Sequence, residues 1–197
     1  MTKRTAVVTR ETKEVKLSVS LNIDGKGKGE INTGVGMLDH LLLQISRHGL
    51  IDITISAEGD LHVDEHHTAE DVAIALGQAF DKALGERRGI RRMANAVVPM
   101  DESLAMVALD ISGRGYAVVE AAFSGSKIGE LPADIIKHML ESFASAAKIN
   151  LHAIVLAGQD DHHKAEALFK ALARALDEAT QIDTRIKDDL PSTKGMI

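Results

Sequence analysis

The chain has 197 residues, of which 45% are hydrophobic and 26% charged, so its composition is that of a globular protein with a hydrophobic core. A net charge of −6 argues against general binding to nucleic acid or anionic membranes, and the absence of cysteine excludes disulfides and thiolate metal ligands. The N-terminal residues Met1–Thr5 lack the apolar block of a signal peptide, and no apolar run reaches the ~18 residues of a membrane span. We therefore expect a cytoplasmic protein with neither nucleic acid nor membrane among its partners.

The first half of the chain predicts a pair of strands followed by alternating helices and a strand. Apolar side chains occupy every second position of Val15–Ile23, the pattern of a half-buried strand, and Arg4–Arg10 is its expected hairpin partner. The glycine-rich segment Asp24–Gly29 predicts a turn. The elements expected after it are a helix at Met37–Arg47, a strand at Ile51–Ala57 and a helix at Thr68–Leu84.

The second half predicts the same order of elements. They are strands at Leu104–Asp110 and Tyr116–Phe123 around a glycine turn, a helix from Pro132 to about Ala147, a strand at Leu151–Ala157 and a helix at His163–Thr180. Identical residues recur at an offset of 96 positions, for example Asp64 and Asp160, and this indicates an internal duplication.

We therefore expect an α+β fold of two duplicated β-β-α-β-α halves, related by a pseudo-twofold axis, with helices covering each sheet. The halves are expected at residues 1–95 and 96–190, followed by a short tail at residues 191–197. All three segments are expected to form one compact unit with a single function.

The sequence His-His-x-x-Glu occurs once in each half, at the start of a predicted helix. A rotation of about 100° per residue points His66 and Glu70 in similar directions and places His67 on the other side of Glu70. We expect the three side chains to fan towards one region. The second copy consists of His162, His163 and Glu166. One copy alone is most simply a polar helix start, whereas imidazole and carboxylate in two matched copies favour a site for Mn, Fe, Co, Ni or Zn.

Each copy also has a single histidine on the preceding predicted helix. His40 precedes His66 by 26 residues, and His138 precedes His162 by 24 residues. Because adjacent histidines diverge on a helix, each His-His pair is better suited to two metal ions than to one. The candidate metal ligands are His40, His66, His67, Glu70, His138, His162, His163 and Glu166. Sharing eight ligands between two six-coordinate ions would leave open positions, which catalysis at a metal requires.

Other residues are suited to binding an anion. Arg114 lies in a predicted glycine turn from which its guanidinium can reach a ligand, and the tail Pro191–Gly195 offers hydroxyls, an ammonium and accessible amides. Arg92 is as consistent with a solvated helix end as with anion binding. The tail is likewise as consistent with a disordered terminus as with anion binding. His48, at the end of a predicted helix, fits a favourable contact with the helix dipole as well as it fits a ligand role.

Five segments taken together resemble the imidazoleglycerol-phosphate dehydratase family along nearly the full chain. They are Arg10–Glu14, Thr33–His40, His66–Asp71, His162–Ala171 and Leu190–Gly195. The chain departs from the family pattern at Asp160, where asparagine is usual, and at Gly115, where proline is common. Neither departure touches a candidate ligand. From its length of 197 residues we do not expect the bifunctional form that carries an added phosphatase domain.

The resemblance implies a hydro-lyase that converts D-erythro-imidazole glycerol phosphate to imidazole acetol phosphate in L-histidine biosynthesis. It implies two Mn(II) ions per active site, held by the eight candidate ligands, with the substrate bound as an imidazolate. The residues implied to contact the substrate are Glu14, Gln44 and His48, and those implied to hold its phosphate are Arg92, Arg114, Ser192 and Lys194. The family also implies a fold similar to the second domain of a ribosomal protein, and a homo-oligomer of about two dozen copies with sites between subunits.

Such a dehydration needs help because the proton to be removed lies on the carbon beside the imidazole ring, with no carbonyl to accept the electrons. Metal binding would make the ring itself the electron sink. The candidate proton carriers are Glu70, Glu166 and Glu14, and the sequence does not decide among them.

Two other functions remain open from the residues alone, a di-metal phosphoester hydrolase and a non-catalytic metal-binding assembly protein. A hydrolase would normally place more carboxylates around its metals than two glutamates among six histidines. An assembly protein would have no need for a set of residues that binds phosphate.

Overall fold

The computed structural model describes residues 3–197, so the first two residues of the N-terminal segment lie outside the described residues. The elements of the first half, in chain order, are β1 (Thr5–Glu11), β2 (Val15–Asn22), β3 (Gly29–Asn32), α1 (Gly36–Gly49), β4 (Asp52–Gly59) and α2 (His66–Leu84). Its four strands form a sheet in the order β1-β2-β4-β3. The pairs β1–β2 and β2–β4 are antiparallel, whereas β3 and β4, which are joined through α1, are parallel.

The elements of the second half are β5 (Met93–Met100), β6 (Ser103–Asp110), β7 (Tyr116–Glu120), β8 (Lys127–Ile128), β9 (Leu131–Pro132), α3 (Ala133–Ala147), β10 (Asn150–Ala157) and α4 (Asp161–Thr180), followed by a short 3-10 helix at Thr184–Ile186. The main sheet has the order β5-β6-β10-β7, with β7 parallel to β10, and β8 and β9 form a separate two-stranded pair. This order repeats that of the first sheet. The predicted α+β fold with an internal duplication is therefore confirmed.

The main sheet of each half contains one strand more than the sequence predicted, and the short pair β8–β9 in the second half was not predicted either. In the first half the additional strand is β3, which has only four residues and follows the glycine-rich turn. In the second half it is β5, whose side chains are only half-buried or exposed and which contains Pro99. The glycine turn between β6 and β7 suggested that these two strands pair with each other. They do not, because β10 lies between them in the sheet. The strand β5 also crosses the division expected between residues 95 and 96.

The helices of the two halves pack against each other between the two sheets. The helix α1 contacts α4, and α2 contacts α3, so each helix pair takes one member from each half. The rings of Phe80 and Phe143 lie 6.0 Å apart between α2 and α3. A Cβ atom on Gly77 would lie 2.6 Å from the carbonyl oxygen of Phe143, so glycine is required for the close approach of these helices.

This arrangement fixes which candidate ligands can meet. His40 on α1 faces α4, which begins with the second His-His-x-x-Glu motif, and His138 on α3 faces α2, which begins with the first. In the described part of the chain, no helix is both long and apolar enough to cross a membrane.

Candidate metal centre and substrate site

The first candidate metal group joins α2 to α3. His66, Glu70 and His138 each offer one ligand atom, and these atoms lie within 4.8 Å of one another. Nε2 of His138 is 3.2 Å from one carboxylate oxygen of Glu70, and Nε2 of His66 is 3.9 Å from the other. The His66 and His138 rings are stacked, with their centroids 4.9 Å apart.

The second candidate metal group joins α1 to α4. It consists of His40, His162 and Glu166, whose ligand atoms also lie within 4.8 Å of one another. Oε2 of Glu166 is 2.9 Å from Nε2 of His40 and 3.2 Å from Nε2 of His162. Each group thus combines a histidine and a glutamate of one half with the single upstream histidine of the other half.

His67 and His163 do not join these groups, so the expectation that all three side chains of a motif fan towards one region is wrong. Their rings stand nearly perpendicular to those of His66 and His162, with centroids 6.3 Å apart in both pairs. The physical reason is the rotation of about 100° between neighbouring residues on a helix, which turns the second histidine of each pair away from the first.

Each of these two histidines contacts a carboxylate instead. Nδ1 of His67 is 3.1 Å from Oδ2 of Asp60 and 4.0 Å from Oε2 of Glu14. Nδ1 of His163 is 2.8 Å from Oε2 of Glu102. Hydrogen bonds to these carboxylates raise the pKa of both histidines.

The two glutamates have different surroundings. The second carboxylate oxygen of Glu166 is 2.6 Å from Nζ of Lys170. Burial by itself raises the pKa of Glu166, but the hydrogen bonds from Lys170 and His40 outweigh it and lower the pKa to about 2. The position equivalent to Lys170 in the first half is occupied by Ile74, so Glu70 has no ammonium partner there.

Both groups fit a divalent transition metal. Each presents two imidazoles and one carboxylate, which are nitrogen and oxygen donors typical of such sites. Within residues 3–197, Nε2 of His138 is buried and has no hydrogen-bond partner, because the nearby Glu70 oxygen is poorly aligned for a hydrogen bond. A buried imidazole nitrogen without a hydrogen bond is available to a metal ion.

Two of the three residues expected to contact the substrate extend along α1 from the second group, and the third, Glu14, lies on the turn between β1 and β2. Gln44 lies one turn beyond His40, and its Nε2 donates a hydrogen bond to the His40 carbonyl oxygen at 3.2 Å. His48 lies a further turn on and lines a cleft of about 710 Å³ between α4 and β5, together with Lys170 and Arg174. Burial lowers the pKa of His48, and the Lys170 ammonium lowers it further.

The residues expected to hold phosphate lie near the start of the second sheet. Arg92 makes two hydrogen bonds to Asp110, at 2.6 and 3.0 Å, and a third at 2.6 Å to the carbonyl oxygen of Pro191. The chain end at Ile197 packs against Gly113, next to Arg114. The structure therefore brings Arg92, Arg114 and the tail together, but the guanidinium of Arg92 already has protein partners.

Ser192 and Lys194 belong to this tail. The Ser192 hydroxyl donates a hydrogen bond of 2.7 Å to the carbonyl oxygen of Met196, which closes the tail into a turn. The same hydroxyl oxygen accepts a hydrogen bond of 3.3 Å from the backbone N–H of Lys194.

Three residues of the site were missed by the sequence analysis. Asp60, Glu102 and Lys170 all contact candidate ligands, yet neither carboxylate belongs to a repeated motif and Lys170 has no equivalent in the first half. For Lys170 the sequence contained two signals, its spacing of one helical turn from Glu166 and its place in the segment His162–Ala171.

Comparisons with known proteins identify the family to which this chain is similar. Residues 33–176 match the family model described as imidazoleglycerol-phosphate dehydratase. The chain is 59% identical over 197 residues to a protein of that name from Dehalococcoides mccartyi, covering 100% of this chain and 99% of the relative. It is 52% identical to one from Methanothermobacter thermautotrophicus, with full coverage of both chains. The crystal structure of the Staphylococcus aureus protein of the same name superimposes with a TM-score of 0.81 at 31% identity, covering 90% of this chain and 100% of the other.

Proposed function

Because this chain belongs to the imidazoleglycerol-phosphate dehydratase family, and is therefore an enzyme of the hydro-lyase class, we propose that it dehydrates D-erythro-imidazole glycerol phosphate to imidazole acetol phosphate in L-histidine biosynthesis. The observation that carries this proposal is the pair of His-Glu-His groups, one on each interhelical contact, with donors that fit a transition metal. The cytoplasm is the compartment proposed for this reaction.

We propose that the metal is Mn(II), with two ions in each active site. The residues that would hold them are His40, His66, His67, Glu70, His138, His162, His163 and Glu166. When bound, the ions would act as Lewis acids that draw electrons from the imidazole ring of the substrate and so make the neighbouring C–H group acidic.

The positions of His67 and His163 support sites shared between copies of the chain. Neither ring converges on the group formed by its own helix, and each is held apart by a carboxylate. We propose that each supplies a ligand to a metal group of another copy in a large homo-oligomer, of about two dozen subunits in this family.

The position of Arg92 supports the same conclusion. Through Asp110 it contacts the end of β6, whereas His163 contacts Glu102 just before the start of β6. Eight residues of strand separate these points by about 25 Å, which is longer than a small phosphate ester. In any one site, the Arg92 region and His163 would therefore come from different copies.

The chain's own residues would bind the phosphate and move the protons. The Arg114 guanidinium, the Lys194 ammonium and the Ser192 hydroxyl would bind the phosphate, with Arg92 holding the tail in place through Pro191. Both oxygens of Glu166 already have cationic or imidazole partners, whereas Glu14 is half-exposed on the turn between β1 and β2. We therefore favour Oε2 of Glu14 as the proton acceptor over Glu166, with Glu70 as the remaining candidate.

The test is turnover of imidazole glycerol phosphate by the purified protein, with and without a chelator, followed by readdition of Mn(II). We expect dehydration that is lost on chelation and restored by the metal. Hydrolysis of the phosphate without dehydration, or turnover that chelation leaves unchanged, would overturn the proposal. Sedimentation of the same samples tests the shared sites, since removal of the metal should also disperse the oligomer.

A further inference from the structure

His67 and His163 share a contact that the metal-binding motif does not explain. In both residues Nδ1 faces a carboxylate, since Asp60 oxygens lie 3.1 and 3.3 Å from Nδ1 of His67 and Oε2 of Glu102 lies 2.8 Å from Nδ1 of His163. An ionised carboxylate can only accept a hydrogen bond, so Nδ1 must carry the proton in each ring. In the neutral imidazole this leaves the lone pair on Nε2, which is then the nitrogen available to a metal ion.

The internal duplication accounts for only part of this arrangement. At the offset of 96 residues that relates α2 to α4, Asp60 corresponds to Leu156. The hairpin of β1 and β2 matches that of β5 and β6 at an offset of 88 residues, so Glu102 corresponds to Glu14, whose Oε2 is 4.0 Å from Nδ1 of His67. Asp60 follows β4, whereas Glu102 lies in the turn between β5 and β6. The same nitrogen of two equivalent histidines is therefore held by carboxylates from different parts of the fold.

We propose that Asp60 and Glu102 are positioning residues that hold His67 and His163 in the tautomer and orientation needed to bind a metal ion through Nε2. Carboxylates that accept a hydrogen bond from a metal-binding histidine orient its ring and raise its basicity. The inference rests on the proposed function, because it assumes that both histidines are metal ligands.

The two carboxylates differ in their remaining contacts, and the difference makes the proposal testable. Oε1 of Glu102 accepts hydrogen bonds from the backbone N–H groups of Gln159 and Asp160, at 3.0 and 2.8 Å, and from the Ser103 hydroxyl at 3.0 Å. Only Oε2 is left for His163. In contrast, both oxygens of Asp60 are near His67.

Amide substitutions should therefore have opposite outcomes at the two positions. In Glu102→Gln, three donors hold the amide oxygen, so the NH₂ group faces His163 and its N–H can only donate. Nδ1 must then accept, which moves the ring proton to Nε2 and blocks metal binding there. In Asp60→Asn, either orientation of the side chain is open, and the amide oxygen can still accept from Nδ1.

The experiment is equilibrium binding of Mn(II) to the full-length protein, with free metal measured by electron paramagnetic resonance. We expect Glu102→Gln and Asp60→Ala to weaken binding by about 10–100-fold. Asp60→Asn should stay within a few-fold of wild type, as should Glu58→Gln, a matched control on β4 whose carboxylate contacts neither histidine. The thermal midpoint of each metal-free variant should equal that of the metal-free wild type, which a merely structural role would not predict.

Binding of Mn(II) by Glu102→Gln as tightly as by wild type would overturn the proposal, as would equal losses in Asp60→Asn and Asp60→Ala. A wild-type protein that binds no Mn(II) would instead contradict the proposed function. The two failures are thus distinguishable in one set of titrations.

Discussion

At the scale of single residues, the two metal groups differ most at the position one turn after the glutamate. Lys170 places an ammonium 2.6 Å from Glu166, whereas the equivalent Ile74 leaves Glu70 without a cation at that position. An ammonium this close to a carboxylate opposes a dication bound by the same carboxylate. The group on α1 and α4 should therefore bind metal more weakly than the group on α2 and α3.

Lys170→Met tests this difference, because it removes the charge and keeps most of the side-chain volume. We expect one of the two ions to bind about tenfold more tightly, equivalent to about 1.4 kcal/mol. Ile74→Met is the matched control and should leave both affinities unchanged. Calorimetric titration with Mn(II) resolves the two classes of site, and weaker binding in Lys170→Met would contradict the argument.

The pKa of Glu166 predicts how the stability of the metal-free protein depends on pH. Since the folded-state pKa is about 2 and the ordinary value is 4.5, the folded state favours the ionised form. The stabilisation is complete above pH 4.5 and is lost as the pH falls towards 2. Urea denaturation across this range should show a smaller decline in Lys170→Met, because that variant lacks the main partner of the ionised carboxylate.

Phosphate binding is tested by Arg114→Ala and Lys194→Ala. Each removes a charge-assisted contact of roughly 1.5–3 kcal/mol, so the Michaelis constant should rise by about 10–150-fold while metal content stays normal. Arg88→Ala serves as a control, because it removes a guanidinium that contacts Glu86 and the Asp188 carbonyl oxygen. A variant at 114 or 194 with an unchanged Michaelis constant would exclude that residue from the phosphate site.

At the scale of elements, the start of α4 determines where His162 and His163 lie. The Asp160 side chain accepts hydrogen bonds from the backbone N–H groups of both histidines, at 2.8 and 3.1 Å. An asparagine, which is usual in the family at this position, could accept the same bonds through its amide oxygen. The departure noted in the sequence therefore preserves the helix cap.

Asp160→Ala should remove this cap and destabilise the metal-free protein by about 1 kcal/mol. Because the helix start carries two proposed ligands, metal affinity should fall as well. Asp160→Asn should restore both properties, and chemical denaturation together with metal titration measures them. Full stability in the alanine variant would show that the cap contributes nothing to the helix start.

The elements show how far a sequence pattern predicts structure. The strands β2 and β4 and all four helices were predicted, because each has a periodic apolar face against the core. The strand β3 was missed because it has only four residues, and β5 was missed because none of its residues is fully buried. Their pairing depends on neighbours distant in the sequence, which local periodicity does not report.

At the scale of the whole molecule, the sequence singled out the candidate ligands but did not predict how they group. Six of them assemble across the two halves, since α1 packs on α4 and α2 on α3. This pairing of helices from different halves is a property of tertiary packing, and the offset between the repeats does not predict it. The two remaining histidines contact carboxylates outside both groups, and the proposal that they bind metal in a neighbouring copy rests on this position.

The most direct test of this account is activity in a mixed assembly of two inactive variants. One variant, Glu70→Gln combined with Glu166→Gln, would lack both metal groups but keep His67 and His163. The other, His67→Ala combined with His163→Ala, would keep both groups but lack the histidines that we propose are donated to neighbours. Each is expected to be inactive alone when assayed with imidazole glycerol phosphate.

In a co-expressed assembly with equal amounts of the two variants, intact groups of one can meet intact histidines of the other. Sites shared between copies predict that activity returns, to at most about a quarter of the wild-type level. Sites confined to single chains predict no activity, because every chain would lack part of its own site. An assembled but inactive mixture would therefore contradict the account.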